Sequence, residues 1–137
     1  MNEGKIKLVN LREIEGKDSP HQDSLYRALK GRIEALGLVG DVNALADFIG
    51  GQVEFLRLKE DWAVSKEIFP DIKIYFVFNR GDEEFSAQLR ILFSGEKLHM
   101  ISGEDLTGYT IFIVSHMIRY VRQANPGSKL PEICYRV

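Results

Sequence analysis

The 137-residue chain predicts an α+β domain, with an antiparallel sheet of about four to five strands and helices packed on one face. Three patterns carry this expectation. Apolar residues recur at helical spacing towards both ends, they alternate with period two through the middle, and glycines punctuate the change between the two regimes. The resulting order is helix, helix, strands, helix. The length and the 45% hydrophobic content suit one buried core that needs no disulfide or metal. One domain is therefore expected over residues 1–137, with an N-terminal arm at 1–18 and a C-terminal tail at 126–137.

The opening KIKLVNL alternates weakly and reads as a short strand or an ordered arm, followed by the turn-rich EGKDSP. From His21 to Leu38 the spacing of Leu25, Leu29, Ile33 and Leu36 predicts an amphipathic helix, with Arg27, Lys30 and Glu34 turned away. Asp18, Ser19 and Pro20 supply its start and Gly37 and Gly40 its stop. A short helix from Asp41 turns Val42, Leu45, Ala46 and Ile49 inward and closes at Gly50 and Gly51. VEFLRL and the segment Trp62 to Ile68 read as extended.

The next two strands are the clearest. IYFVF places Ile74, Phe76 and Phe78 on one face, and FSAQLRILF places Phe85, Ala87, Leu89, Ile91 and Phe93 on one face. The connector NRGDEE, with Gly81, predicts a hairpin loop. KLHMI is expected as a further short strand. Ser102 followed by Asp105 then resembles a capping box opening a long helix, buried through Ile111, Val114, Met117, Ile118 and Val121. Asn125, Pro126 and Gly127 end it, and SKLPEICYRV drapes over the domain.

Charge narrows the function classes. Eighteen basic and twenty acidic residues give a net −2, with the basic residues dispersed, so neither nucleic acid nor an anionic membrane is an expected partner. No apolar run approaches the ~20 residues that span a bilayer, and MNEGKIKLVN builds no apolar export core. The sole cysteine, Cys134, cannot form an internal disulfide or a paired-thiolate metal site, which fits a reducing cytoplasm.

Four groups of residues invite chemistry. Asp82, Glu83 and Glu84 at the hairpin tip could hold a hard cation or a basic partner, but an Asp after Gly also fixes a turn by bonding its own backbone. His99 with Glu84 or Asp105 would make a divalent-metal set, set against a strand histidine bonded to a neighbouring carboxylate. His116, Arg119 and Arg122 on the long helix are candidates for an anion patch, set against a solvated or interface face. His21 falls near a helix start. Gly50, Gly51 and Gln52 match the tripeptide of peptide-chain release factors, but the flanks lack the basic character that ribosome binding demands, so they read as a helix stop and strand entry. Hydrolase elbow, phosphate loop, zincin and dinucleotide fingerprints are all missing from the sequence.

FIGGQVEF, FPDIKIYFVF, NRGDEEFSAQLRILF, His99 and SGEDL together resemble an uncharacterised family of domains of unknown function from anaerobic bacteria and archaea, some of whose members carry an adjacent iron–sulfur segment. The GDEEF hairpin is the most specific of these patterns. The chain departs from it at Asn79 and Arg80, where Trp-Glu is common, and at Ser86, where Pro is common. It also lacks the cysteine cluster, so the resemblance implies no resident iron–sulfur centre. It implies a fold and a place to look, and no reaction.

The sequence thus reads as a non-catalytic ligand- or protein-binding domain without a cofactor, and as a candidate homodimer because Tyr75 and Val77 make the second strand face too apolar to stay wet. The alternative is a divalent-metal-binding protein or metal-dependent enzyme built on Glu84, His99 and Asp105.

Overall fold

Four strands pair antiparallel in sequence order, and the helices collect on one side of them. The computed structural model describes residues 7–136. The sheet is β1 (Gln52–Glu54), β2 (Trp62–Phe69), β3 (Ile72–Asn79) and β4 (Gln88–Ser94). Phe76 sits opposite both Val64 and Ile91, so the alternation in sequence becomes a single apolar layer. Ile74, Phe76, Phe78, Leu89, Ile91 and Phe93 are all buried in it.

The helices covering that layer are α1 (Leu11–Glu15), α2 (Pro20–Leu29), α3 (Val42–Ile49) and α4 (Gly103–Ala124). Each starts on a side-chain cap that satisfies an otherwise orphaned N–H: Asn10, Ser19, Asp41 and Ser102. Gly50 ends α3 in the left-handed conformation (φ 74°), where glycine carries no Cβ penalty. Long α4 packs between α2 and α3 through Leu106, Thr110, Ile113, Val114, Met117, Ile118 and Val121. Ile111, expected in that stripe, is half-buried, and Ile113 takes its place. The Ser102 cap is one-sided: its hydroxyl accepts from the Asp105 N–H at 3.0 Å. The reciprocal capping box occurs instead at Asn10 and Glu13, inside the segment read as an arm.

Several expectations need correction. The single helix from His21 to Leu38 is two pieces, because the chain turns extended at Lys30 and left-handed at Gly31 before a 3₁₀ turn at Glu34–Leu38. The C-terminal tail docks into this break: the Cys134 thiol donates to the Gly31 carbonyl at 3.7 Å, and the Ile133 side chain lies against Gly31. Only the first residues of VEFLRL join the sheet. KLHMI is a 3₁₀ turn at Leu98–Met100, in which the Met100 N–H donates back to Lys97. FSAQLRILF enters the sheet only at Gln88, leaving Phe85 66% exposed. Of KIKLVNL, Lys5 and Ile6 lie outside the described residues, while Val9 forms an isolated antiparallel bridge to Phe93. Together with the Tyr26 hydroxyl, which accepts from the Ile91 N–H at 2.9 Å, this bridge blunts the β4 edge.

Candidate functional site

The second face of the sheet was the sequence's main argument for a partner. Tyr75 and Val77 are in fact buried within the chain, in a small cluster with Ala63, Leu8, Leu56 and Leu92. The cover is the loop after β1, which brings Leu56, together with Leu8 from the N-terminal segment. The Glu60 carboxylate accepts from the Leu56 and Leu58 N–H groups at 2.6 and 2.7 Å, which holds Arg57 and Lys59 at positive φ. Arg90 and Asn79 then donate to the Leu58 and Lys59 carbonyls and pin the loop over the strands. Burial pushes the Glu60 carboxyl up, but the backbone N–H groups outweigh it and hold it below the ordinary value.

The hairpin acids separate by role. The Asp82 carboxylate accepts from the backbone N–H groups of Glu84 and Phe85, both at 2.8 Å, and those bonds lower its pKa. Its own N–H donates to the Phe85 carbonyl at 2.7 Å. Gly81 is needed here because a Cβ would come within 2.6 Å of the Ala87 nitrogen. Glu83 and Glu84 are exposed and line an open depression of about 570 Å³ with Glu34.

Glu84, His99 and Asp105 do not converge. Glu84 lies beyond the Gln88 end of β4 and His99 beyond its Ser94 end, so the length of the strand, about 20 Å, separates them. His99 sits in the 3₁₀ turn rather than a strand, and its Nδ1 lies 3.1 Å from the backbone carbonyl of Glu96 rather than from a carboxylate; it lines a depression of about 870 Å³ that the buried Ser94–Tyr75 hydroxyl pair also lines. Asp105 lines a third, smaller depression with Phe69, Met100 and Tyr109. Among the described residues no group of three or more His, Cys, Asp and Glu is placed to hold a metal ion. No helix of the described chain is long and apolar enough to cross a membrane.

Of His116, Arg119 and Arg122, the two arginines share a depression that His116, one turn before Arg119 on α4, does not line. Arg119 and Arg122 line one depression of about 470 Å³ with Ser128 and Tyr135, and the Arg122 guanidinium sits over the Tyr135 ring at 5.3 Å. His116 belongs to an aromatic cluster, edge-on to Phe48 at 6.4 Å and tilted against Phe112 at 5.1 Å.

That cluster is part of a larger surface. Along α4 the outward positions Tyr109, Phe112, His116 and Tyr120 follow helical spacing, and neighbouring rings extend them: Phe69 packs on Tyr109, and Phe48 on Tyr120. Phe112 is 64% exposed, Met100 71%, and Phe48, Phe69 and Tyr109 about two-fifths exposed each. The buried stripe of α4 dominates the apolar count, so the outward aromatics drew no notice in the sequence. A second run of aromatics offset from that stripe is the signal that would have revealed them.

One polar cluster was also missed. The Glu15 carboxylate accepts from the Ser19 hydroxyl, lies 2.6 Å from His21 Nδ1 and sits against Gly103 at the start of α4. Burial raises its pKa, but the Ser19 and His21 hydrogen bonds and the His21 charge outweigh this and hold it low. The arrangement ties α1, α2 and α4 together.

No curated protein and no solved structure matches the chain. A family model described as a domain of unknown function, DUF3786, matches residues 22–116, from the first turn of α2 to His116 in the middle of α4. That span exceeds half of the sequence and includes the whole sheet and most of the aromatic surface, and the chain therefore belongs to the DUF3786 family.

Proposed function

We propose that the protein is a protein-binding domain whose contact surface is the outer face of α4. The observation carrying this reading is Phe112, largely exposed at the centre of a contiguous run formed by Phe48, Phe69, Met100, Tyr109 and His116. Scattered exposed apolar residues are ordinary, but a contiguous patch of aromatics and methionine is the composition of an interface core. Phenylalanine and tyrosine also present large area with few rotatable bonds, so little entropy is lost when they are covered.

The test is a photo-crosslinking amino acid of aromatic shape, benzoylphenylalanine, placed at position 112 and, as a control, at Glu83. The protein is expressed in its native host and irradiated. A discrete protein adduct from position 112 and none from position 83 is expected. Absence of any protein adduct from position 112, with the variant folded, overturns the reading.

A further inference from the structure

We infer that the α4 surface is closed by a second copy of the same chain, set antiparallel about a twofold axis through Phe112. This rests on the protein-binding reading above and names its partner. The outward residues Asp105, Tyr109, Phe112, His116 and Arg119 are spaced four, three, four and three apart, the repeat that keeps one seam of a helix facing another. The seam reads as a palindrome in chemistry. Asp105 and Arg119 lie seven residues either side of Phe112, and Tyr109 and His116 lie three and four residues either side.

Turning a copy about Phe112 therefore stacks Phe112 on itself, sets Tyr109 beside His116 of the second copy, and sets Asp105 opposite Arg119 of the second copy, each twice. This is the self-complementarity that an isologous contact requires. A parallel arrangement would oppose Asp105 to Asp105 and Arg119 to Arg119, and like charges select against it.

Two further features suit this occupant. Among the described residues neither Asp105 nor Arg119 takes part in an ion pair within the chain, so both charges are available across the axis. Gly108 is exposed, and a Cβ built on it would meet nothing within 4 Å, which leaves room for His116 of the second copy to approach the backbone. From Asp105 to Arg119 the seam is about 21 Å long, and Phe48, Phe69 and Met100 widen it beyond a bare helix pair.

Sedimentation equilibrium of the full chain tests the pairing. Wild type is expected to be a dimer, and Phe112→Asp to weaken it by about a hundredfold with its circular dichroism unchanged. Asp105→Arg and Arg119→Asp should each weaken it by about tenfold, and mixing the two variants, or joining them in one chain, should restore it. Phe112→Cys should give an interchain disulfide under mild oxidation, since the native Cys134 is buried and does not compete.

A wild-type monomer at high micromolar concentration, or a mixture of the charge variants no tighter than either alone, overturns the inference. If the chain is monomeric and position 112 still crosslinks to a different protein, the second copy is wrong while the protein-binding surface stands. If it dimerises unaffected by Phe112→Asp and position 112 gives no adduct, both are wrong.

Discussion

The hairpin tip between β3 and β4 and the outer face of α4 are both exposed and both strongly patterned, but their side chains stand in different relations to the fold. At the tip, Asp82 spends its acceptors on the Glu84 and Phe85 N–H groups, and the run of acids is organised by the turn it makes. On α4, Phe112 touches only His116 among the paired rings and stays 64% exposed, although the helix beneath it is anchored by an independent buried stripe. Residues that complete local geometry explain themselves. Residues whose removal would leave the helix, its caps and its core intact call for a partner.

The largest effect that would break this comparison lies between two phenylalanines. Phe76 is fully buried in the layer shared by β3 and the helices, so Phe76→Ala should lower the unfolding free energy by about 3–5 kcal/mol in urea. Phe112→Ala, measured at concentrations too dilute for association, should change it by within about 0.5 kcal/mol. Comparable losses at both sites would mean that the outer face of α4 belongs to the core after all.

Two tyrosines extend the contrast. Tyr75 is buried in a cluster covered by Leu8 and by the loop that Glu60 folds, and Tyr109 stands on the α4 surface. Glu60→Ala leaves the Leu56 and Leu58 N–H groups without their acceptor and should cost about 2 kcal/mol, with Tyr75 becoming accessible to a fluorescence quencher. Stability and Tyr75 protection that survive the substitution would show that the loop is held by Arg90 and Asn79 alone.

How much of this was legible in the sequence follows from the range of the interactions. Ile74 to Phe78 and Leu89 to Phe93 announced themselves because strand alternation is a local pattern that burial preserves. Asp41, Ser102 and Gly50 were readable for the same reason: a cap acts within one turn of its helix. The break at Gly31 was not, because it depends on Ile133 and Cys134 arriving from the other end of the chain. The cover over Tyr75 was hidden likewise, since VEFLRL alternates well enough for a strand and its loop is pinned over the sheet by Asn79 and Arg90, 20 and 32 residues further on from the carbonyls they bond. The proposed metal set of Glu84, His99 and Asp105 paired residues near in sequence that the strand between them holds apart.

Acidic residues give the next test. Glu15 is tied to Ser19 and His21, and its carboxyl pKa is lower folded than unfolded. A depressed carboxyl contributes stability above its unfolded value and loses it as pH falls through the folded one. Wild type should therefore lose the stability this site contributes as the pH drops below about 4.5. Glu15→Gln should lack that part of the acid dependence and be less stable at neutral pH. Parallel stability curves for the two proteins from neutral to acid pH would show that the cluster does not couple α1 to α2 and α4.

The smallest effect is expected at the hairpin, and it separates the three acids that look alike in sequence. Asp82 is the one whose oxygen accepts two backbone N–H groups, and asparagine offers an oxygen in the same position. Asp82→Ala should lower the melting temperature slightly, Asp82→Asn should retain most of the wild-type value, and Glu83→Gln and Glu84→Gln should leave it unchanged. The ordering follows from geometry rather than charge, since all four substitutions remove one negative charge. If the two glutamate variants shift stability as much as Asp82→Ala, then charge and not turn formation governs the tip, and the contrast with α4 loses its basis.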